Sequence, residues 1–278
     1  MTPASRPALQ RCRSLVHRWV LLPFLALAGA AASSAHAEIP FPSGLQADRT
    51  QAQPAPSAAF ARWQSSLDAF ALADKQQRPA SDGVLFVGSS TIRLWSHLSQ
   101  DFRQLPVLLN RGFGGSTMRD CNALVRELVI QYKPRHVMVY AGDNDLAEGR
   151  TPDGVLRSFA NFVRSVRAEL PDTRISYISI KPSPLRLALL PQVRETNALM
   201  ANYVQTVPNA RYVDIFNPML AADGLPRPEL FLADRLHLNE AGYRLWQSVI
   251  AADLSVAPAM TAAQTDPHPQ HASVAVGR

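Results

Sequence analysis

The chain has 278 residues, a formal net charge of +6 and a hydrophobic fraction of 47%. Only one of its two cysteines follows residue 37, which excludes an internal disulfide beyond that point, so a hydrophobic core must hold the fold. The basic residues of this region are scattered rather than clustered, which argues against a nucleic-acid-binding protein.

The first segment has the three parts of a secretory signal peptide. Arginines precede an apolar run from Trp19 to Ala32, and Ala35-His36-Ala37 provides small residues for cleavage after position 37. The alternative is a membrane anchor, but the run has 14 residues, whereas spanning a bilayer takes about 20. Removing residues 1–37 leaves 24 basic and 22 acidic residues. We therefore expect an exported protein, periplasmic or secreted, with no stable membrane anchor.

Two further segments lack a periodic apolar pattern. Residues 38–57 are rich in Pro, Ala, Gln and Ser and are predicted to be a linker. Residues 257–278 have a similar bias and are predicted to be a disordered tail. His268 and His271 lie in this tail without rigidly held further ligands, so no metal site is expected there. Residues 58–256 are left as one folded domain.

Within this domain, short β-branched runs alternate with longer helical patterns. Apolar residues at three- and four-residue spacing, most clearly Leu156, Phe159 and Phe162, predict helices. The predicted helices lie near 57–77, 117–132, 152–169, 191–206 and 239–253, and Asn239 is a candidate N-cap for the last one. The strands are predicted at Val84–Val87, Val107–Leu109, His136–Tyr140, Ile175–Ile180 and Tyr212–Ile215.

This alternation predicts an α/β fold with a parallel sheet that is covered by helices on both faces. Ligands of such sheets bind beyond the carboxyl ends of the strands. The segments that follow strands one, two, three and five should therefore face one crevice. They contain Ser90, Gly115, Asn144 and the pair Asp234 and His237.

Ser90 ends the sequence Gly88-Ser89-Ser90 after the first strand. Glycine permits a tight turn there, and a hydroxyl at the start of a helix lies near free backbone N–H groups. Ser90 is thus a candidate nucleophile. The alternative is that Ser89, Ser90 or Thr91 only caps the following helix, which is a common role for these residue types.

Asp234 stands three residues before His237. In a short loop, the carboxylate can accept the imidazole N–H, which fixes the ring tautomer and stabilises the cation formed when the ring takes a proton. With a serine, this pair would complete a nucleophilic triad. The alternative is a surface salt bridge or a helix-entry turn.

Two polar loops follow the second and third strands. Residues 110–117 contain three closely spaced glycines, which indicates backbone that bends or approaches a ligand closely. A dinucleotide site is not expected, because Thr117 occupies the position of the third glycine of that motif. Asn144 either belongs to a turn or directs its amide at a developing oxyanion.

The order of these four segments resembles that of the SGNH hydrolases, also called the GDSL esterase/lipase family. The resemblance covers about residues 80–253 and identifies 58–256 as an SGNH hydrolase domain. It implies that Ser90 is the nucleophile and that Asp234 and His237 complete a catalytic triad. The Gly-Phe-Gly-Gly stretch is most similar to enzymes related to the catalytic subunits of platelet-activating-factor acetylhydrolase.

The resemblance also implies an oxyanion hole formed by the N–H groups of Ser90 and Gly115 and by the amide of Asn144. Two positions depart from the family pattern. Ser89 replaces the usual aspartate before the nucleophile, and Asp143 replaces a frequent glycine. Neither position supplies a triad group in the family, so the departures bear on the substrate rather than on the chemistry.

The implied architecture is a flavodoxin-like three-layer α/β/α sandwich with a five-stranded parallel sheet. The implied activity is that of a serine esterase that needs no metal or cofactor and acts on a small-molecule, lipid or glycan ester. Short connections between strands leave no lid and favour short acyl groups. Lys181, Arg186 and Arg235 could meet an anionic substrate, but we expect them to be solvated surface charges. The sequence predicts no particular oligomeric state.

Two alternatives remain at this point. The same triad could transfer the acyl group to a sugar hydroxyl or deacetylate a carbohydrate. The fold could also belong to a catalytically silent binding protein.

Overall fold

The computed structural model describes residues 56–255. The predicted signal peptide at 1–37, all but the last two residues of the predicted linker, and the predicted tail at 257–278 lie outside the described residues. Within the described range, no helix combines the length and the hydropathy needed to cross a bilayer.

All five predicted strands are present, with bounds that shift by a few residues. They are β1 (Val84–Gly88), β2 (Leu108–Gly112), β3 (His136–Tyr140), β4 (Arg174–Ile178) and β5 (Ala210–Val213). Every pairing is parallel, and the strands lie in the order β2-β1-β3-β4-β5. This is the flavodoxin-like order, so the predicted fold class is confirmed.

The long helices also match the prediction closely. They are α1 (Pro56–Gln76), α7 (Pro152–Glu169), α8 (Leu190–Gln205) and α9 (Glu240–Ser255). Shorter helices lie between them: α2 (Ser90–Arg93), α3 (Leu98–Asp101), α4 (Met118–Ala123), α5 (Val125–Leu128) and α6 (Asp143–Ala147). Asn239 accepts a hydrogen bond from the Gly242 N–H at 3.1 Å, as expected of an N-cap of α9.

The single helix predicted over 117–132 is wrong. The segment is α4, α5 and a 3₁₀ turn at Ile130–Tyr132, and Leu124 leaves helical geometry with φ −109° and ψ 19°. The apolar spacing survives the break because successive α and 3₁₀ turns both return a side chain to the same face every three to four residues. Periodicity alone therefore could not reveal the interruption.

The core lies on both faces of the sheet. Leu85 and Val87 of β1 pack with α1, α4, α7 and α8, whereas Val84 and Phe86 pack with α2, α3 and α9. This follows from the period of two along a strand, which sends successive side chains to opposite faces. Burying a large apolar side chain such as Phe86 contributes roughly 1.5–3 kcal/mol. The result is a three-layer α/β/α sandwich.

The sheet topology determines where three polar loops emerge. From β1 the chain passes to β2 on one side and returns to β3 on the other, so β1 and β3 form a topological switch point. Gly88 pairs in register with Gly112 of β2 and with Tyr140 of β3. The three strands thus end at the same level, and the loops after them start side by side.

Candidate active site

Ser90 is the first residue of α2, two residues after the end of β1. The turn between them requires glycine at position 88, where φ is +141° and an added Cβ would lie 1.8 Å from the Tyr140 carbonyl oxygen. The Ser89 N–H then donates to that carbonyl at 3.1 Å. Ser89 is the N-cap residue of α2, but its side chain makes no capping hydrogen bond. The simple capping role considered for Ser89 is therefore not what the geometry shows.

The hydroxyl of Ser90 contacts an imidazole 147 residues further along the chain. His237 Nε2 lies 3.0 Å from Ser90 Oγ, and His237 Nδ1 lies 2.6 Å from Asp234 Oδ2. The other carboxylate oxygen, Oδ1, accepts the backbone N–H groups of Leu236 and His237, both at 2.9 Å. Serine, histidine and aspartate thus form one hydrogen-bonded chain.

The loop between Asp234 and His237 is held in shape by its own backbone. Arg235 has φ +59°, a left-handed conformation that turns the chain back between the acid and the base. The Leu232 N–H donates to the His237 carbonyl at 2.8 Å, and the Arg235 N–H donates to the Leu232 carbonyl at 2.9 Å. The carboxylate and the imidazole are therefore pre-oriented with respect to each other.

The pKa of Asp234 is lowered to about 2, first by the hydrogen bond from His237 and then by the two backbone N–H groups. The carboxylate is accordingly ionised and can only accept. It selects the ring tautomer that carries its proton on Nδ1, which leaves the lone pair of Nε2 facing Ser90 Oγ. That is the arrangement a general base needs.

The two other predicted site residues come from the segments after β2 and β3. Gly115, with φ +82°, lies between β2 and α4. Asn144 lies in the first turn of α6, directly after β3, and its Nδ2 donates to the carbonyl of Ser116 at 2.9 Å. The Phe113 N–H donates to the Gly88 carbonyl at 2.8 Å and ties the glycine-rich loop to β1. All five predicted site residues thus lie in segments that follow strands at the carboxyl edge of the sheet.

Sequence reasoning missed two cations near this edge. Lys181, expected to be a solvated surface charge, is 2% exposed, and its Nζ donates to Asp143 Oδ2 at 2.7 Å. Arg186 is half-buried and donates to Asp143 Oδ1 at 2.5 Å. The expectation was wrong for both, whereas Arg235 is exposed as expected. The sequence around these two cations gives no sign of the pairing, because Asp143 lies 38 residues before Lys181 and 43 residues before Arg186.

A separate cavity lies away from these groups. It has a volume of about 940 Å³ and is lined by α1 and the segment around Ile130–Tyr132, including Asp74 and Tyr132. None of the five predicted site residues lines it. Within residues 56–255, no cluster of three His, Cys, Asp or Glu side chains could hold a metal ion. This cavity is thus separate from the contact between Ser90 and His237.

The chain matches a known protein family over most of the described residues. The model of the GDSL-like lipase/acylhydrolase family matches residues 81–245, which span every predicted site residue. A comparison with curated protein sequences gave no match.

Solved structures share the fold at low sequence identity. A Streptococcus pneumoniae protein described in relation to platelet activating factor is 18% identical, with a TM-score of 0.62 over 71% of this chain and 95% of its own. A GDSL-like lipase from Bacteroides thetaiotaomicron is 20% identical, with a TM-score of 0.56 over 68% and 96%. An acetyl-xylooligosaccharide esterase from Geobacillus stearothermophilus is 17% identical, with a TM-score of 0.52 over 65% and 98%.

Proposed function

Because the chain belongs to the GDSL-like lipase/acylhydrolase family and is a carboxylic ester hydrolase, we propose that it works as a serine esterase with Ser90 as its nucleophile. The observation that carries the proposal is the 3.0 Å contact between Ser90 Oγ and His237 Nε2. The 2.6 Å contact between His237 Nδ1 and Asp234 supports it, because it holds the imidazole in the tautomer that can act as a base.

In the first half-reaction, His237 Nε2 takes the hydroxyl proton while Ser90 Oγ attacks the ester carbonyl. Asp234 stabilises the imidazolium that forms. The carbonyl oxygen becomes an oxyanion, which the N–H groups of Ser90 and Gly115 and the amide of Asn144 stabilise. His237 then donates its proton to the leaving alcohol, and the acyl group remains on Ser90.

The second half-reaction repeats these steps with water. His237 takes a proton from water, and the hydroxide oxygen attacks the acyl carbonyl. A second oxyanion forms at the same donors. Its collapse releases the carboxylic acid, and the proton on His237 returns to Ser90 Oγ. The cycle consumes one ester and one water and needs no external cofactor.

We propose short acyl esters of small molecules or carbohydrates as the substrates. The chain passes almost directly from β1 to α2 and from β3 to α6, so no lid is inserted at these points. In addition, the Trp63 ring lies 3.8 Å from the position that a Cβ would take at Gly115. An aromatic wall beside the predicted oxyanion glycine leaves less room for a long acyl chain.

An aryl acetate provides the direct test of the nucleophile. We expect Ser90→Ala to lower kcat by about 10⁴-fold or more, because removing a triad serine removes the covalent route. Ser248→Ala is the matched control, since Ser248 is an exposed serine on α9 whose hydroxyl bonds only within its own helix. Retention of more than a tenth of the wild-type rate in the Ser90 variant would exclude it as the nucleophile.

Two further measurements define the substrate. A series of aryl esters of increasing acyl length should show kcat/KM falling beyond short chains, and a flat or rising series would contradict the short-acyl proposal. Product analysis with and without sugar acceptors separates hydrolysis from transfer. Hydrolysis predicts free carboxylic acid as the product in both cases.

Export to the periplasm or the medium remains part of the proposal. It rests on the signal-peptide pattern of residues 1–37. Determining the N-terminus of the protein recovered outside the cytoplasm tests it, with residue 38 expected first.

A further inference from the structure

The segment after β4 contacts the predicted oxyanion hole through one arginine. Arg186 lies at a kink, with φ −109° and ψ 31°, inside the segment Pro184–Leu189 that follows β4. Its Nη2 donates to Asn144 Oδ1 at 2.9 Å, and its Nη1 donates to Asp143 Oδ1 at 2.5 Å. One guanidinium thus bridges the carboxylate of Asp143 and the side-chain amide of the adjacent asparagine.

These contacts determine which way the Asn144 amide faces. A guanidinium can only donate hydrogen bonds, and a backbone carbonyl can only accept them. Arg186 therefore selects Oδ1 on its side, and the Ser116 carbonyl, 2.9 Å from Nδ2, selects the amino group on the other. In the reversed orientation, donor would face donor and acceptor would face acceptor. One N–H of Nδ2 is left for a substrate oxygen, and the repelling Oδ1 is turned away.

The same arrangement places net positive charge beside the amide. Both oxygens of Asp143 are occupied by cations, Oδ2 by Lys181 at 2.7 Å and Oδ1 by Arg186 at 2.5 Å. Burial by itself would raise the pKa of Asp143, but the charges of Lys181 and Arg186 outweigh it and lower the pKa. The trio of one carboxylate and two cations carries a formal charge of +1 in a largely buried setting. These buried ion pairs hold the guanidinium in place against the Asn144 amide.

The segment also contacts the other half of the site. The Leu185 N–H donates to the carbonyl of Arg235 at 3.0 Å. Arg235 lies between the acid Asp234 and the base His237. The chain that carries Arg186 is thus tied to the acid–base loop as well as to the oxyanion side.

We propose that Arg186, anchored by Asp143 and Lys181, is a positioning residue that holds the Asn144 amide in its catalytic orientation during ester hydrolysis. The proposal rests on the proposed function, because it assigns Asn144 to the oxyanion hole. It also gives Asp143, which departs from the family pattern, a role as the anchor of this arginine. Arg186 touches the amide and not the reacting atoms, so it acts through Asn144.

A double-mutant cycle on an aryl acetate tests this dependence. Asn144→Ala should lower kcat by about 10²–10³-fold as a lost oxyanion donor. Arg186→Ala should lower kcat by about 10- to 100-fold with little change in KM, because the amide is misoriented rather than absent. In the Asn144→Ala background, the Arg186 substitution should have almost no further effect, since its target is gone.

Two further variants keep the test decisive. Arg244→Ala is the matched control: Arg244 is an exposed arginine that pairs with Glu240 within α9, and its loss should leave kcat unchanged. If the Arg186→Ala protein fails to fold, Arg186→Lys carries the cycle, because one ammonium cannot reproduce both guanidinium bonds.

The outcomes separate the two proposals. A wild-type rate in Arg186→Ala, or an equal loss of kcat in both backgrounds, overturns the positioning role while leaving the esterase standing. A wild-type rate in Asn144→Ala overturns it as well. Equal rates for wild-type and Ser90→Ala would instead remove the serine mechanism and the positioning role together.

Discussion

Replacing Asp234 with asparagine should prevent His237 from acting as a base, although the two side chains have the same shape. In the wild-type protein, Oδ1 accepts two backbone N–H groups at 2.9 Å and Oδ2 accepts the imidazole N–H at 2.6 Å. The side chain of asparagine has only one oxygen, which cannot accept from both the backbone N–H groups and the imidazole. If the oxygen stays on the backbone, the amino group faces His237 Nδ1, and the ring proton must move to Nε2. A protonated Nε2 cannot accept the proton of Ser90.

The geometry also sets the size of the effect. Turning the amide to restore the active tautomer would sacrifice both backbone hydrogen bonds. Asp234 is about half exposed, so water keeps each bond at about 1 kcal/mol. The inactive tautomer is then favoured by about 2 kcal/mol, or roughly 30-fold. The lost negative charge also no longer stabilises the imidazolium. From the two effects combined, we expect kcat to fall by about 10³–10⁴-fold.

Steady-state hydrolysis of an aryl acetate by Asp234→Asn measures this effect. Asp223→Asn is the matched control, because Asp223 is an exposed loop aspartate whose Oδ1 accepts the N–H of Leu225 at 2.9 Å but which contacts no imidazole. The control should keep wild-type kinetics. A loss of less than tenfold in Asp234→Asn would refute the tautomer argument, provided that circular dichroism shows both variants folded.

Three further predictions concern stability. Burial and nearby arginines lower the pKa of His136 to about 3. The contribution of His136 to folding stability is therefore fully present above the unfolded-state pKa and is lost on acidification. Between about pH 6.5 and 3, wild-type protein should lose stability relative to His136→Gln by about 1.4 kcal/mol per unit in denaturant titrations, and parallel curves would contradict this. Burial raises the pKa of Asp145 to about 6. The contribution of Asp145 to folding stability is therefore fully present below the unfolded-state pKa and is lost as the pH rises. Wild-type protein should therefore lose about 3 kcal/mol relative to Asp145→Asn between about pH 4 and 6, and a constant difference would refute it. Gly88→Ala should abolish folding, because its Cβ would lie 1.8 Å from the Tyr140 carbonyl oxygen, and a native circular dichroism spectrum would disprove the clash.

The sequence by itself determined the layers and the identity of the chemical groups. Apolar runs such as Val84–Val87 can bury both faces only in a covered parallel sheet, and helical spacing around Phe159 supplies the cover. Segments that follow parallel strands share one edge, so the sequence alone assigns Ser90 and Asn144 to that edge. These patterns are local, because they depend only on the spacing of residues that are close together in the sequence.

Only the tertiary structure decided how the groups meet. Ser90 and His237 are 147 residues apart, and no local pattern encodes the 3.0 Å between them. Lys181 and Arg186 looked like solvated charges because their sequence neighbourhood does not reveal that Asp143 lies buried beside them. The break of the helix at Leu124 was equally hidden. Contact distance, burial and charge pairing depend on how separate elements pack, and packing is a property of the whole fold.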